Sequence, residues 1–212
     1  MNIVYCFDTG HKYMMRKSSE SVLKHNPDAK FYYITEDKNN DLTAFTEKLC
    51  GFKHVSKACF LRLLIPKYYP QLERALYLDC DTICKGSLSE LYNADFENNY
   101  IIGCEGIEYS KTQAKELNIP FYINSGVMLF NIPLMNKENY FKQIKDRWKE
   151  SLGLPKVYSA DETVINYVFN GKIKKISEKY NYCHNRDYGD RKQDKPIILH
   201  FTGADKKEFW KK

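Results

Sequence analysis

Arg74-Ala75-Leu76-Tyr77-Leu78-Asp79-Cys80-Asp81-Thr82-Ile83-Cys84 runs an apolar stretch directly into two carboxylates placed one residue apart. The apolar part has the length and composition of a short buried strand. On an extended backbone residues i and i+2 point to the same side, so Asp79 and Asp81 are expected side by side. Two like charges about 4 Å apart repel by roughly 4 kcal/mol at an effective dielectric of about 20. A cation or a shared proton removes that cost. Oxygen-only ligands suit Mg²⁺ or Mn²⁺, ions that leave positions open for water or substrate phosphates. A solvated turn after a strand would carry the same D-x-D pattern, so other residues must decide.

The flanking sequence is that of an α/β domain. Ile3 to Phe7 reads as a strand, Asp8-Thr9-Gly10-His11 as a polar turn, Lys12 to His25 as a helix closed by Asn26-Pro27-Asp28, and Phe31 to Ile34 as a second strand. This βαβ order predicts a parallel pair with a right-handed crossover. Ligands in such sheets sit beyond the carboxyl ends of the strands, so Cys6, Phe7 and Asp8, with the turn to His11, are expected to border a site. Neither G-x-G-x-x-G nor a Walker sequence is present, which disfavours a dinucleotide or P-loop site. Further on, Asp41 to Leu49 and Ser56 to Ile65 read as helices, the second ending at Pro66. There Cys59, Phe60, Leu63 and Leu64 share one face and Arg62 falls on another. A looser segment after Asp81 leads to a strand at Ile101 to Cys104. Tyr122-Ile123 and Val127 to Phe130 are apolar runs on either side of Asn124-Ser125-Gly126. Helices are expected at Lys137 to Leu152 and Glu162 to Phe169, and strands at Ile173 to Ile176 and Ile197 to Leu199.

With 212 residues, 43% hydrophobic and 28% charged, the chain has the balance of one globular domain with a sizeable core. No internal repeat or low-complexity linker divides it. The net charge of +6 comes from scattered lysines without a basic block. This disfavours nucleic acid and suits an anionic, phosphorylated substrate. Seven cysteines without a C-x-x-C pair read as reduced thiols. The first residues form a strand rather than a signal peptide, and no apolar run approaches a membrane span, so a cytoplasmic protein is expected.

Four strand ends thus carry polar residues: Asp8, Asp79/Asp81, Asn124 and His200. In a parallel-dominated sheet they could gather along one edge. An imidazole as third ligand would favour Mn²⁺ over Mg²⁺, although a His after Ile-Ile-Leu also reads as a core histidine. Lys206 could reach a diphosphate or be one more solvated lysine beside Lys207, and Gly203 could admit a phosphate or make a turn. Arg62 reads equally as a surface helix residue, Asn124 as a turn former, and Asp161 and Glu162 as a helix cap and first-turn acid.

Taken together, Phe60-Leu61-Arg62-Leu63, Ala75-Leu76-Tyr77-Leu78-Asp79-Cys80-Asp81, Tyr122-Ile123-Asn124-Ser125-Gly126-Val127-Met128-Leu129-Phe130-Asn131, Ala160-Asp161-Glu162-Thr163-Val164-Ile165-Asn166 and His200-Phe201-Thr202-Gly203-Ala204-Asp205-Lys206 occur in an order that resembles glycosyltransferase family 8, the glycogenin-like and lipooligosaccharide-galactosyltransferase group. The resemblance implies a GT-A fold, with a mostly parallel mixed sheet flanked by helices, in a single domain over residues 1–212. It implies transfer of a hexose, glucose or galactose first, from a UDP-sugar to a glycan, a glycosylated protein or another hydroxyl acceptor, with retained anomeric configuration. By the same resemblance Asp79, Asp81 and His200 would bind Mn²⁺, with Mg²⁺ as the alternative ion. Arg62, Asp79 and the intervening Cys80 would border the donor, Asn124 and Asp161 would hold sugar hydroxyls, and Gly203 and Lys206 would hold phosphates.

Three departures from that family's pattern matter. Members often show an acidic pair followed by Asn and an aromatic after the first strand; here the run is Asp8-Thr9-Gly10-His11. Glu162 stands where relatives can carry Gln, near the reacting carbon, which opens a role as carboxylate nucleophile. The chain stops soon after Lys206, without a basic aromatic tail, as an excised catalytic domain or one domain of a larger enzyme would. Two rival readings remain: a sugar-nucleotide or glycan-binding domain without turnover, and a haloacid-dehalogenase-like phosphatase, whose D-x-D motif Leu78-Asp79-Cys80-Asp81-Thr82 partly matches.

Overall fold

The computed structural model describes residues 1–35, 57–106, 108–152, 160–184 and 195–202. The first strand, β1 (Asn2–Phe7), is followed by a single 3₁₀ turn and the helix α1 (Lys12–His25). It pairs in parallel with β2 (Lys30–Thr35), as the βαβ reading requires. On its other side β1 pairs in parallel with β3 (Arg74–Leu78). The apolar composition of β3 is explained by its place: Ala75 to Leu78 are buried in the centre of the sheet, between β1 and β6 (Ile123–Asn131). Completed by β5 (Ile101–Glu105) and β7 (Ile173–Ile176), the sheet has the order β2-β1-β3-β6-β5-β7, and β6 alone runs against its neighbours.

Both faces of the sheet are covered at its central strands, so β1, β3 and residues 127–130 of β6 read as nearly continuous apolar runs. Val4, Ala75, Tyr77, Met128 and Phe130 pack into one core, while Ile3, Tyr5, Leu76, Leu78, Val127 and Leu129 pack into the other. The first core also receives Ile144 and Trp148 of the helix 140–152 and Val164, Ile165 and Val168 of the helix 160–168. The second receives Met15 and Val22 of α1. Ser18 on that face is fully buried and sits between the Tyr5 hydroxyl and Thr82 Oγ1, each at 2.9 Å.

Several local expectations change. Residues Lys57–Leu64 form a 3₁₀ helix, not an α-helix, and Pro66 lies in the first turn of a short helix (Ile65–Tyr68) instead of ending one. Proline lacks only an N–H that a first turn leaves unbonded anyway. The tighter winding carries Arg62 inward, where it is 6% exposed, so it is no surface residue. Asn124-Ser125-Gly126 is not a turn but the opening of the nine-residue β6. The helix expected at 137–152 is two helices, Ile132–Lys137 and Tyr140–Leu152, separated where Asn139 takes a left-handed φ of 52°. The looser segment after Asp81 contains β4 (Thr82–Cys84) and the short helix Ser89–Tyr92, and a helix at Glu108–Glu116 follows β5. The helix expected at 41–49 lies outside the described residues.

A second, three-stranded sheet, β4-β9-β8, joins β4 to β8 (Tyr182–His184) and β9 (Ile198–Phe201). His200 is therefore not a strand end of the main sheet, as the sequence suggests, but an interior position of β9. It pairs with Thr82 of the antiparallel β4.

Candidate active site

Asp79 and Asp81 leave β3 in a turn rather than along an extended backbone. Thr82 closes this turn, its N–H and Oγ1 both donating to the Asp79 carbonyl at 3.3 and 2.8 Å. The antiparallel pairing of β4 and β9 then sets His200 beside the two carboxylates, and the Phe201 N–H donates to the Asp81 carbonyl. His200 Nε2 lies 3.3 Å from Asp81 Oδ1 and 3.6 Å from Asp79 Oδ2. One ligand atom from each of the three residues falls within 4.8 Å of the others. Neighbouring ligands on an octahedral ion with bonds of about 2.1 Å are roughly 3 Å apart, so two carboxylates and an imidazole at these spacings fit a divalent cation. Burial opposes the imidazolium form of His200, but the charge and hydrogen bond of Asp81 outweigh it and raise its pKa well above the ordinary value. A proton on His200 thus offsets the charge of Asp81 in part as a cation would.

Room for the His200 ring comes from Gly126. A Cβ at that position would lie 2.2 Å from His200 Cε1 and 2.7 Å from Nδ1. The glycine of Asn124-Ser125-Gly126 is thus required by the close approach of a ring, not by a turn.

Arg62 is the second centre of the site. Its Nη2 meets Asp79 Oδ1 at 3.0 Å and its Nε meets Asp161 Oδ2 at 3.1 Å. Nη1 donates to the carbonyl and Oγ of Ser125, and Nε also donates to the Cys59 carbonyl. The guanidinium stacks over the Tyr77 ring at 4.6 Å, and the Tyr77 hydroxyl donates to Asp79 Oδ1. Burial works against its charge, but Asp161 and Asp79 raise its pKa further above an already high value. Arg62 therefore holds two acids in place.

Glu162 begins the helix Ala160–Val168 with Asp161 and is 8% exposed. Its Oε2 accepts from Asn124 Nδ2 and from the Ser125 N–H, both at 2.9 Å, and from Ser125 Oγ at 3.3 Å. Burial pushes its pKa up to about 7; the Ser125 N–H pulls the other way and the Asp161 charge adds to the rise.

Between these centres lies a cleft of about 150 Å³ bordered by Cys6, Phe7, Arg62, Asp79, Cys80 and Asp81, with His11, Ala58 and Cys59 completing the wall. Asp8 does not line the cleft but caps the turn that carries His11. Its Oδ1 accepts from the His11 N–H and lies 2.6 Å from His11 Nδ1. Asn124, Asp161, Glu162 and His200 adjoin the cleft through the bonds above. Gly203 and Lys206 lie outside the described residues. Sequence reasoning did not find Ser125, Cys59 or Asn181. Ser125 was visible as part of a quoted motif, whereas Asn181, in Tyr180-Asn181-Tyr182-Cys183, has no motif to mark it. Six cysteines are free thiols among the described residues, and no described helix is long and apolar enough to cross a membrane.

Comparison with known proteins gives a consistent result. The chain is 28% identical to a putative glycosyltransferase of Haemophilus influenzae, over all of this chain and 73% of that protein. It is 31% identical to the lipopolysaccharide 1,3-galactosyltransferase of Salmonella typhimurium, over 67% of this chain and 44% of that one. With the lipopolysaccharide 1,2-glucosyltransferase of Escherichia coli it shares 30% identity, over 69% of this chain and 48% of that one. The chain thus spans under half the length of the last two. Among solved structures, the galactosyltransferase LgtC in complex with donor and acceptor sugar analogs superposes with a TM-score of 0.81 at 18% identity, covering 96% of this chain and 88% of that one. The fold is GT-A, as the sequence led us to expect. A match to the model of glycosyl transferase family 8 runs over residues 2–212, and the chain belongs to that family.

Proposed function

We propose that this chain is a metal-dependent retaining glycosyltransferase that moves a hexose from a UDP-sugar to a glycan or other hydroxyl acceptor, with residues 1–212 as one catalytic domain in the cytoplasm. The observation that carries the reading is the Asp79–Asp81–His200 cluster beside the cleft bordered by Arg62. UDP-glucose and UDP-galactose are the first donors to consider, because two relatives are named as lipopolysaccharide glucosyl- and galactosyltransferases. Membership of the family leaves no place for the phosphatase reading.

Asp79, Asp81 and His200 would hold the cation, Mn²⁺ or Mg²⁺, which when bound supplies positive charge for the departing diphosphate. Around it this chain's own residues divide the work. Cys6, Phe7, Asp8 and Cys80 border the nucleotide, and Gly203 and Lys206 contact its phosphates. Arg62 holds Asp79 toward the cation side and Asp161 toward the sugar side. Asn124 and Asp161 orient the sugar hydroxyls. Glu162 offers a carboxylate as nucleophile of a double displacement; on the alternative front-face route the leaving phosphate assists the attack and Glu162 is a helix-end carboxylate.

Calorimetric titration of UDP-glucose and UDP-galactose, with and without Mn²⁺, tests the reading. Donor binding is expected to require the ion and to vanish in Asp81→Ala, and Lys206→Ala is expected to weaken UDP binding and lower kcat/KM. Equal donor affinity in Asp81→Ala with Mn²⁺ present would overturn the metal assignment. Binding without turnover in a sensitive assay would favour a sugar-nucleotide-binding domain.

A further inference from the structure

A chain of hydrogen-bonded side chains runs from His200 to Glu162 through two amides, the buried Asn181 and the half-buried Asn124. Asn181 is 4% exposed and caps the 3₁₀ turn Glu178–Tyr180 just before β8. Its Oδ1 lies 2.9 Å from His200 Nδ1, and its Nδ2 lies 2.8 Å from Asn124 Oδ1. Asn124 Nδ2 continues to Glu162 Oε2 at 2.9 Å.

The direction of every bond in this chain is set at one place. The Gly126 backbone N–H, which can only donate, points at Asn124 Oδ1 at 3.0 Å. That end of Asn124 is therefore the carbonyl, and the end facing Glu162 is the NH₂. Asn181 must offer its own NH₂ to the Asn124 carbonyl, so its carbonyl faces His200. Nδ1 of His200 must then carry a proton, since its other neighbour, the Cys183 sulfur at 3.9 Å, is a weak partner. A neutral ring consequently has its lone pair on Nε2, the atom turned toward Asp79 and Asp81.

We propose that Asn181 is a positioning residue that holds His200 as the Nδ1–H tautomer for cation binding and, through the same amide, fixes which end of Asn124 meets Glu162. The proposal rests on the metal reading of Asp79, Asp81 and His200. Partners of this kind change metal affinity by about 10–100-fold when removed. One amide would thus couple the cation to the residues placed at the sugar.

Two substitutions separate the halves of the proposal. Asn181→Asp keeps an oxygen for His200 Nδ1–H but sets an oxygen against the Asn124 carbonyl. Asn181→Ala removes both contacts. Mn²⁺ binding to the full chain with saturating UDP, followed by the electron paramagnetic resonance of free Mn²⁺, is expected to weaken at least tenfold in Asn181→Ala. In Asn181→Asp it is expected to stay at the parental value or tighten, while kcat falls at least tenfold with little change in the KM for donor. Parental Mn²⁺ affinity in Asn181→Ala, in a protein where Asp81→Ala abolishes binding, overturns the proposal. So does parental kcat in Asn181→Asp, which decides the matter even if Asn181→Ala does not fold. If Asp81→Ala binds Mn²⁺ like the parent, the metal reading fails instead, and the role of Asn181 toward the cation fails with it.

Discussion

Glu162→Gln isolates the cost of a buried acid. In the folded chain burial pushes the Glu162 pKa up to about 7, against an ordinary 4.5. Its three hydrogen-bond donors converge on Oε2, so the retained proton belongs on Oε1. Between about pH 4.5 and 7 the unfolded chain has lost this proton and the folded chain still holds it. Stability must therefore fall as pH rises through that window. At 1.36 kcal/mol per pKa unit the loss is about 3 kcal/mol, complete above pH 7 and absent below pH 4. Glutamine keeps the accepting oxygen, replaces the protonated one by NH₂ and cannot ionise. The variant should match the parent at pH 4 and exceed it by about 3 kcal/mol at pH 8, which for a chain of this size is roughly 6–12 °C in melting temperature. Urea denaturation of both proteins from pH 4 to 8 measures the difference, and titrations of groups that do not touch Glu162 electrostatically cancel between them. A difference independent of pH, or a variant less stable at pH 8, would refute the reasoning. If Glu162 acts as a carboxylate in the reaction, the same variant will lose turnover while retaining donor affinity.

Arg62→Met should destabilise the fold by about 3–5 kcal/mol, because Asp79 and Asp161 lose the cation between them; an unchanged urea midpoint would contradict this. Gly126→Ala drives a methyl group into the His200 ring, so Mn²⁺ affinity measured by calorimetry should drop at least tenfold in a folded protein, and full affinity would show that the ring can seat elsewhere. Ser18→Ala removes the bridge between Tyr5 and Thr82 and should cost about 1–3 kcal/mol in a denaturation curve; a smaller loss than a few tenths would mean that the two hydroxyls re-pair.

What could be read from the sequence was whatever leaves a local mark. The β1–α1–β2 unit is legible because periodicity and the Asn26-Pro27-Asp28 stop lie within a few residues of one another. The central strand β3 is legible because burial on both faces makes it continuously apolar. Pairings made at long range leave no such mark. The strands β4, β8 and β9 are short, and nothing in Thr82-Ile83-Cys84 foretells pairing with residues 198–200. The winding of residues 57–64 is likewise decided by packing, which turns Arg62 inward against a helical pattern that faces it outward. The candidate ligands were found through motif order, while the amide that links them to Glu162, Asn181, emerged only from three-dimensional proximity.

The small sheet β4-β9-β8 has a mechanical consequence. It brings together parts of the chain near residues 81 and 200 that only backbone pairing and side-chain contacts connect. An ion seated between Asp81 and His200 would act as a reversible clasp across that long loop, absent from the unfolded chain. At a free-ion concentration a hundredfold above its dissociation constant, the clasp would add about 2.7 kcal/mol of stability. Chelation would undo it without breaking a covalent bond, and the amides of β9 should then exchange with solvent sooner than those of β3. The cation that arms the chemistry would thus also keep β9 fastened to the rest of the molecule.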